Sequence, residues 1–418
     1  MDFVERHIGN HLVRAMKSSP IVFLNGGRQT GKTTLTYEVA GFLGNDSKAT
    51  YVSFDQPTMV AAATRSPEAF LEGYSKPLII DEVQMVPELF RALKVFVDQS
   101  RLKNKSNANG NFLLTGSANI LSLPKLSDSL VGRMTVLTLY PFSTGEAIRT
   151  TGRGLERIIN FDFSDIKDTQ LRLTEAIRLA TYPEIAFLNE EDRKDWFDGY
   201  ITTLLQREVR QIAELEKITL LPHLLRVLCV RAGGLINDSD IAREVGLSSP
   251  TTKLYRHILQ MMFLAFDLRP WHGNLGKRLV KSAKGFLNDT CLLCHMLDID
   301  MAEIETRRPE LFGHILENYV ATEIIKQISN HHLSITPYHF RTSDNKEVDF
   351  VLEKPNRDII GIEIKNTELI TKNDFKGLEV LAEETKKYFL GGIVLYNGAQ
   401  VVPFGKKLWA IPIRILWE

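Results

Sequence analysis

Residues 26–33, near the amino end, constrain the fold of this chain more than any other segment. They read GGRQTGKT and match the pattern G-x-x-x-x-G-K-[ST], which requires a strand before it and a helix after it. Both are expected here, because the apolar run PIVFLN (20–25) predicts a buried strand and TTLTYEVAGFLG (33–44) predicts a helix. Glycines let consecutive backbone N–H groups turn toward phosphate oxygens, and the helix N-terminus adds partial positive charge. The segment therefore predicts a phosphate-binding loop.

The loop and the start of its helix contain the residues that we expect to contact a nucleotide. They are Gly26, Gly27, Arg28, Gln29, Thr30, Gly31, Lys32, Thr33 and Thr34. Lys32 is expected to reach the β- and γ-phosphates, and the Thr33 hydroxyl is expected to ligate Mg²⁺. The sequence therefore predicts ATP and Mg²⁺ as cofactors.

Hydrolysis also needs an acidic residue on a neighbouring strand to hold the metal and a base to orient water. The run LIIDE (78–82) supplies four strand residues that end in two carboxylates. Asp81 is predicted to ligate Mg²⁺, and Glu82 is predicted to polarise the attacking water. A hydrophobic run before Asp-Glu is a weak signal alone, but it becomes strong when it follows a phosphate-binding loop.

Two further features downstream fit a hydrolytic site. The strand FLLTGS (112–117) ends in polar groups, so Thr115 and Ser117 are predicted to sense the γ-phosphate or the attacking water, with a serine-rich turn as the alternative. Arg133, in SLVGR, is predicted to stabilise phosphate charge, either within one chain or across a subunit interface. The alternative for Arg133 is a surface arginine.

Charge and composition exclude several classes of protein. Lys plus Arg and Asp plus Glu both number 51, so nucleic-acid binding would need a local basic patch. The start, MDFVERHIGN, has no apolar signal region, and no run approaches the ~18 apolar residues of a membrane span. Three cysteines are too few for a disulfide framework. We therefore expect a cytoplasmic protein with no membrane partner.

The order of predicted elements indicates the α/β class. Strands alternating with helices at the amino end predict a parallel sheet with helices on both faces. Shifts in pattern then divide the chain into a P-loop domain (1–150), a helical connector (151–230), a winged-helix-like segment (231–290) and a C-terminal α/β domain (291–418).

The winged-helix-like segment contains a predicted helix-turn-helix. Residues 239–259 predict a helix, a turn at Gly246 and a second helix capped by Ser248, and basic residues without any acid follow in 269–285. The residues expected to face DNA or RNA are Thr251, Thr252, Lys253, Arg256, Lys277, Arg278, Lys281 and Lys284. The alternative is a fold used only for packing between domains.

The carboxyl-terminal part carries the pattern D…E-x-K on two predicted strands. Asp349 lies in EVDFVLE, and Glu363 and Lys365 lie in GIEIK, where they share one strand face. Asp349 and Glu363 are predicted to hold a second divalent metal, with Lys365 near the scissile phosphate, as in metal-dependent nucleases. Glu317, on the preceding helix, adds a carboxylate. The alternative is a pair of solvated strand faces.

These motifs together resemble one family of proteins. The blocks GGRQTGKTTL, IIDEVQ, LLTGSAN, SLVGR and LYPFSTGE resemble bacterial and archaeal AAA-like P-loop ATPases that carry a C-terminal domain of unknown function. The later blocks TYPE, WFDGYITTLLQREV, KRLVKSAKGFLND, GHILENYV, EVDFVLE and GIEIKN fit that domain, so the resemblance spans nearly the whole chain. It implies an ATPase core, a winged-helix-like middle and an end that is similar to the restriction-endonuclease fold. Gly27 and Ala283 stand where proline is usual, and Glu208 where aspartate is usual.

The sequence therefore predicts Mg-dependent ATP binding and hydrolysis coupled to a nucleic-acid-related C-terminal module. Two alternatives stay open: an ATP-gated regulatory switch that binds a protein partner without nuclease activity, and an ATP-regulated, metal-dependent nuclease. The D…E-x-K pattern favours the nuclease, and the neutral overall charge favours the switch. Besides ATP, the partners considered are DNA or RNA, a protein partner and a second copy of the chain.

Overall fold

The computed structural model describes residues 3–43, 49–103, 108–117, 130–166, 170–205, 209, 217–274, 278 and 282–418. The chain divides into two compact units. The first unit comprises Met1–Pro141, Met261–Phe263 and Ser329–His331, and the second comprises Phe142–Gln260, Leu264–Ile328 and His332–Glu418. None of the helices in the described part of the chain has the length and apolar character that a membrane span requires.

The first unit is built on a five-stranded parallel sheet. Its strands are β1 (Ile21–Asn25), β2 (Thr50–Ser53), β3 (Leu78–Asp81), β4 (Phe112–Gly116) and β5 (Met134–Thr138). Their spatial order is β2-β3-β4-β1-β5, and every pair of neighbours is parallel. This arrangement confirms the predicted α/β class, although the sequence pattern does not indicate β5.

Helices cover both faces of this sheet. They are α1 (Gly9–Ser18), α2 (Lys32–Leu43), α3 (Pro57–Arg65), α4 (Pro67–Glu72) and α5 (Leu89–Lys103). Successive residues of β1 point to opposite faces of the sheet. Phe23 packs on one face in an apolar cluster with Leu93 of α5. Leu24 packs on the other face in a second cluster with Leu12 of α1 and Leu35 of α2. Both faces of the sheet are therefore buried, as the unbroken apolar runs predict.

The second unit combines a mixed sheet, a hairpin and many helices. The six-stranded sheet has the order β12-β13-β11-β10-β9-β8, and β6 pairs with β7 in a separate antiparallel hairpin. The strands are β6 (Ala265–Leu268), β7 (Lys284–Leu287), β8 (Thr336–Arg341), β9 (Glu347–Glu353), β10 (Ile359–Lys365), β11 (Phe389–Tyr396), β12 (Val402–Gly405) and β13 (Leu408–Pro412).

The α-helices of the second unit follow in chain order. They are α6 (Thr144–Ala147), α7 (Gly154–Asn160), α8 (Leu173–Leu179), α9 (Glu190–Thr203), α10 (Leu221–Val230), α11 (Asp238–Val245), α12 (Ser249–Met261), α13 (Thr290–Met296), α14 (Ile304–Arg307), α15 (Pro309–His331) and α16 (Lys376–Thr385). The ends of α12 and α15 belong to the first unit.

Helix α15 forms a polar centre inside the second unit. Its Lys326 ammonium donates to the carbonyls of Phe142 (2.8 Å) and Ala180 (3.1 Å), and the fully buried Glu323 carboxylate accepts from the Thr144 N–H (3.2 Å). These bonds satisfy backbone groups that burial would otherwise leave without a partner. The helix therefore fixes the segment FSTGE (142–146) at the start of the second unit.

The predicted helix-turn-helix is present as two helices. Gly246 adopts φ +77° after α11, which is the left-handed conformation that ends many helices, and the Ser248 hydroxyl accepts from the Thr251 N–H (3.2 Å) at the start of α12. The β6–β7 hairpin follows in sequence. The winged-helix-like interpretation, the restriction-endonuclease-like interpretation and the four domain boundaries stay predictions.

Candidate functional site

The phosphate-binding loop connects β1 to α2, which begins at Lys32. Gly31 has φ +90°, and an added Cβ on Gly26 would lie 2.2 Å from the carbonyl oxygen of Leu139. Only glycine fits either position without strain, because the left-handed conformation and the close backbone contact both exclude a side chain. The loop is therefore shaped by its two motif glycines. The N–H groups at the start of α2 make this end a natural site for an anion.

The Lys32 ammonium lies against the inner surface of the loop. It is 6% exposed, and Nζ donates to the carbonyl oxygens of Gly26 (3.1 Å) and Gly27 (2.8 Å). A buried ammonium favours an anionic ligand, since burial strengthens charge interactions. Arg6 supports the same loop from outside it, because its guanidinium donates to the carbonyls of Thr30 (2.7 Å) and Tyr140 (2.7 Å).

The two residues predicted to ligate Mg²⁺ are in direct contact. Asp81 ends β3, is 3% exposed, and accepts from the Thr33 hydroxyl (2.9 Å) through Oδ2. The same oxygen accepts from the Tyr51 hydroxyl (2.7 Å), and Oδ1 accepts from the Thr115 hydroxyl. A carboxylate and a hydroxyl are oxygen ligands of the kind that Mg²⁺ prefers. Thr33 and Asp81 therefore fit a magnesium ion by chemistry and by position.

Glu82 follows Asp81 in a left-handed conformation, with φ +55°. This strained backbone is fixed by the Thr115 hydroxyl, which accepts from the Glu82 N–H (3.3 Å). The Gln84 amide then donates to the Glu82 carboxylate and to the Ser117 hydroxyl (3.2 Å). Glu82, Gln84 and Ser117 thus form one hydrogen-bonded group beside Asp81.

The structure places Thr115 in contact with both acidic residues. Its side chain is fully buried, and its hydroxyl bonds both Asp81 and Glu82, so it holds the two acids in place. Sensing of the phosphate by Thr115 or Ser117 stays a prediction.

Three residues of this site were missed by the sequence analysis: Arg6, Tyr51 and Gln84. Tyr51 lies on β2, which is the parallel neighbour of β3, and burial, followed by its hydrogen bond to Asp81, raises the pKa of its hydroxyl. It therefore stays a donor. Only Gln84 had a usable signal, because it lies two residues after Glu82.

Arg133 lies far from the loop within its own chain. Its carbonyl accepts from the N–H of Ile21, the first residue of β1, whereas the loop follows the last residue, Asn25. A five-residue strand separates these ends by about 16 Å. The guanidinium instead forms two hydrogen bonds with Asp98 of α5 (2.7 and 2.9 Å), and these bonds lower the pKa of Asp98. A role within one chain does not fit this placement, and a role across an interface stays a prediction.

Most of the described residues expected to face DNA or RNA are buried. Thr252 is fully buried, and Arg256 is 6% exposed and bonds Asp238 (2.6 Å) and Asp267 (2.8 Å). Both predictions were wrong, because these side chains turn toward the protein interior.

The predicted wing residues behave in the same way. Arg278 is 5% exposed, pairs with Glu353 and lies over the rings of Trp271 and Tyr338, while Lys284 is 3% exposed. These two predictions were also wrong. Lys277 and Lys281 lie outside the described residues. Among the described residues expected at this interface, the half-buried Thr251 and the exposed Lys253 remain at the surface.

The structure brings the D…E-x-K residues together on β9 and β10. These strands are antiparallel, with Ile362 opposite Phe350, and Asp349 Oδ2 accepts from the Ile364 N–H (2.9 Å). Glu363 accepts from the Lys365 ammonium (2.8 Å). Burial and the nearby Asp349 carboxylate raise the pKa of Glu363 to about 8. The strand arrangement is therefore as predicted.

The predicted second metal site does not fit this arrangement. Glu317 and Asp349 both contact the Lys284 ammonium, at 2.8 and 3.3 Å, and burial raises the pKa of Glu317 to about 8. Within the described part of the chain, no group of three or more His, Cys, Asp or Glu side chains is placed to hold a metal ion. The assignment of Asp349 and Glu363 as metal ligands is therefore corrected, since Lys284 contacts Asp349 Oδ1 and Lys365 contacts Glu363 Oε1, although Glu363 Oε2 has no hydrogen-bond partner among the described residues.

Family models match three parts of the chain. An AAA domain model matches residues 18–148, which include the phosphate-binding loop and the acids of β3. A domain of unknown function (DUF8612) matches residues 171–303, and another (DUF4143) matches residues 312–416.

Two solved structures show remote likeness to this chain. The Walker-type ATPase PABY2304 of Pyrococcus abyssi is 13% identical with a TM-score of 0.42, covering 71% of this chain and 96% of that one. Cdc6p of Pyrobaculum aerophilum is 10% identical with a TM-score of 0.26, covering 73% of this chain and 97% of that one. Neither likeness supports an argument about mechanism.

Sequence relatives are much closer. The uncharacterized proteins Mb2031c of Mycobacterium bovis and Rv2008c of Mycobacterium tuberculosis are each 31% identical to this chain over 363 residues. The alignments cover 87% of this chain and 74% of each relative. The chain therefore belongs to the same family as these two mycobacterial proteins, and its amino-terminal part is an AAA-like P-loop ATPase domain.

Proposed function

We propose that the first unit binds ATP with Mg²⁺ and hydrolyses it. The observation that carries the proposal is the direct contact of Thr33 with Asp81 (2.9 Å), beside a loop that already holds the Lys32 ammonium. This contact joins the two motifs that ATP hydrolysis needs, the phosphate-binding loop and the acid-ended strand. Thr33 and Asp81 would hold Mg²⁺, which when bound neutralises charge on the phosphate oxygens.

The protein groups have separate roles in this reaction. The loop N–H groups and Lys32 bind phosphate oxygens, and the charge of Lys32 counters the negative charge that they carry. Glu82 orients the attacking water and accepts its proton, because a carboxylate within hydrogen-bond reach can act as a general base. Thr115 keeps Asp81 and Glu82 in place. The remaining predicted loop contacts, Arg28, Gln29, Thr30 and Thr34, belong to the same proposal.

Binding and hydrolysis can be tested with one set of variants. Lys32→Ala should weaken binding of a fluorescent ATP analogue by about 1.5–3 kcal/mol, roughly 10- to 150-fold, since it removes a charge-assisted contact. Lys17→Ala removes an exposed lysine of α1 and is the matched control. Equal affinity of the two variants, both folded, would reject the loop as the nucleotide site. Absence of phosphate release by the unaltered protein with Mg-ATP would reject hydrolysis.

We further propose a nucleic-acid-related role for the second unit, limited to the surface around Thr251 and Lys253. Lys253→Ala should weaken binding of DNA and RNA oligonucleotides in fluorescence anisotropy and reduce the salt dependence by about one phosphate contact. If the unaltered protein binds neither oligonucleotide at low salt, this role is rejected.

A regulatory switch without nuclease activity is the second candidate function. The observation that favours it over the nuclease is the buried contact of Lys284 with Glu317 and Asp349, which takes up carboxylates that a cleaving metal would need. The test is strand scission of DNA and RNA with Mg²⁺ or Mn²⁺, with and without ATP. If the unaltered protein cleaves nucleic acid, and Asp349→Ala abolishes cleavage but retains ATP hydrolysis, the nuclease hypothesis would be favoured instead.

A further inference from the structure

A lysine ammonium lies at the centre of the carboxylate cluster in the second unit. Lys284 begins β7 and its side chain is 3% exposed. Its Nζ lies 2.8 Å from Glu317 Oε1, 2.5 Å from Glu347 Oε1 and 3.3 Å from Asp349 Oδ1. An ammonium group has three N–H donors and no acceptor, so three carboxylates satisfy it completely.

Three separate elements build this contact. Glu347 and Asp349 are two residues apart on β9 and therefore share a face, while Glu317 comes from α15 and Lys284 from the β6–β7 hairpin. Gly233 completes the arrangement, because it has φ +78° and an added Cβ would lie 2.8 Å from Glu317 Oε2. The backbone thus leaves room for the Glu317 carboxylate where it meets the lysine.

Two further carboxylate oxygens beside the cluster accept hydrogen bonds, whereas Glu363 Oε2 is buried and has no hydrogen-bond partner among the described residues. Asp349 Oδ2 accepts from the Ile364 N–H (2.9 Å), and Glu363 Oε1 accepts from the Lys365 ammonium (2.8 Å). Mg²⁺ requires about six oxygen ligands at roughly 2.1 Å in octahedral geometry. A divalent ion at this position would lie beside the buried Lys284 ammonium and be repelled by it. The chain itself therefore supplies a positive charge between these three carboxyl groups.

We propose that Lys284 is a built-in cation that replaces a divalent metal ion in the cluster of Glu317, Glu347 and Asp349. The D…E-x-K residues then form an internal ion-pair network, and the second unit does not depend on metal at this position. The sequence pattern alone could not show this, because Lys284 lies far from the D…E-x-K residues in the chain. The inference is independent of ATP hydrolysis by the first unit.

Binding of Mn²⁺ without nucleotide tests the proposal, with free Mn²⁺ measured by electron paramagnetic resonance. The single variant Asp349→Asn should bind Mn²⁺ as tightly as the unaltered protein does, because no ion occupies the cluster. Lys284→Met removes the ammonium charge and keeps a side chain of similar length. It should create a Mn²⁺ site that binds at least about tenfold more tightly than any site in the unaltered protein, since metal affinity rises with the charge of the ligands. The double variant Lys284→Met with Asp349→Asn should lose that site.

Lys365→Met is the matched control, because it removes a lysine charge that contacts Glu363 rather than the three central carboxylates. It should create no comparable site. Binding by the unaltered protein that Asp349→Asn abolishes would overturn the proposal, as would a folded Lys284→Met variant without a new site. If Lys284→Met does not fold, the comparison of the unaltered protein with Asp349→Asn and Glu317→Gln decides the question.

Discussion

At the scale of single residues, Gln84 stands out beside the proposed base. Its amide nitrogen donates to Glu82 and to Ser117, while its Oε1 is buried and has no hydrogen-bond partner among the described residues. Turning the amide over would set its oxygen against the Glu82 carboxylate, so the orientation is fixed by charge. A water that donates to Oε1 would lie next to the group that accepts its proton.

We expect Gln84→Ala to lower the turnover number for ATP roughly 10- to 100-fold, with affinity for a fluorescent ATP analogue unchanged. The reason is that positioning of a general base and its water acts on the chemical step, where such catalysis contributes about 10²–10⁴-fold. Steady-state phosphate release and equilibrium binding give the two quantities. Glu82→Gln serves as the comparison and should cost more, because it removes the base itself. A Gln84→Ala variant that keeps the full turnover number would remove Gln84 from the mechanism.

The sequence predicts where a residue lies in the fold when the residues next to it in the chain define its surroundings. The glycines, Lys32 and Thr33 lie in one loop, and Asp81 ends a strand whose apolar run is visible in the sequence. The errors at Thr252 and Arg256 have a physical cause. Helical spacing shows that a helix has two faces, but the face that packs depends on β6, whose Asp267 binds Arg256.

At the scale of elements, strand β5 shows where sequence patterns fail. Four of its five residues are only half buried, with Leu137 buried between them, so it has neither a clear alternation nor an unbroken apolar run. Its place in the sheet comes from parallel pairing with β1, which is a long-range contact. Strands β1, β3 and β4 are fully buried in the sheet, and their apolar runs were recognisable.

The turn between α10 and α11 depends on Gly233, and two glycines allow a matched test. Gly246 has φ +77° with no atom near its Cβ position, whereas Gly233 has φ +78° and Glu317 at 2.8 Å. Gly246→Ala should cost about 1 kcal/mol of stability from backbone strain. Gly233→Ala should cost about 1–3 kcal/mol more, because it also displaces Glu317 from the Lys284 cluster.

Urea unfolding followed by tryptophan fluorescence measures this difference, because all four tryptophans, Trp196, Trp271, Trp409 and Trp417, belong to the second unit. An equal loss of unfolding free energy in the two glycine variants would show that the Glu317 side chain moves aside freely. That result would mean that the cluster is loosely held.

Helix α15 should make the stability of the second unit depend on pH through Glu323. Burial raises the pKa of this carboxyl from 4.5 to about 7. The folded state then holds the proton of Glu323 more tightly than the unfolded state does. The resulting stabilisation of the folded state is fully present below pH 4.5 and is lost as the pH rises through 7. The free energy of unfolding should therefore fall between pH 4.5 and 8 by up to roughly 3 kcal/mol, at no more than about 1.4 kcal/mol per pH unit.

Glu323→Gln should remove this decline, while Glu383→Gln, at an exposed glutamate of α16, should retain it. Fluorescence-monitored unfolding across the same pH range checks both variants. A decline of the same size in Glu323→Gln would assign the pH dependence to other groups.

At the scale of the whole molecule, the position of Arg133 bears on the predicted role of this residue across a subunit interface. The parallel sheet sets Arg133 at the amino ends of the strands, while the loop and Asp81 lie at their carboxyl ends. Because the sheet separates these edges, we expect any contact of Arg133 with a nucleotide to be made on another copy of the chain. Its partly exposed pairing with Asp98 consists of two hydrogen bonds, which Arg133 would have to release in order to contact a nucleotide on an approaching subunit.

If the chain hydrolyses ATP as an oligomer, Arg133→Ala should lower the turnover number by roughly 10³-fold and leave ATP affinity nearly unchanged, because the charge acts in the transition state. Mixing Arg133→Ala with Lys32→Ala should restore part of the activity, since a mixed interface combines an intact loop with an intact arginine. Arg91→Ala, an exposed arginine of α5, should change neither quantity. Turnover and mass in solution are measured on the same samples. Normal turnover by Arg133→Ala, or no recovery on mixing of subunits shown to exchange, would leave Arg133 a surface residue.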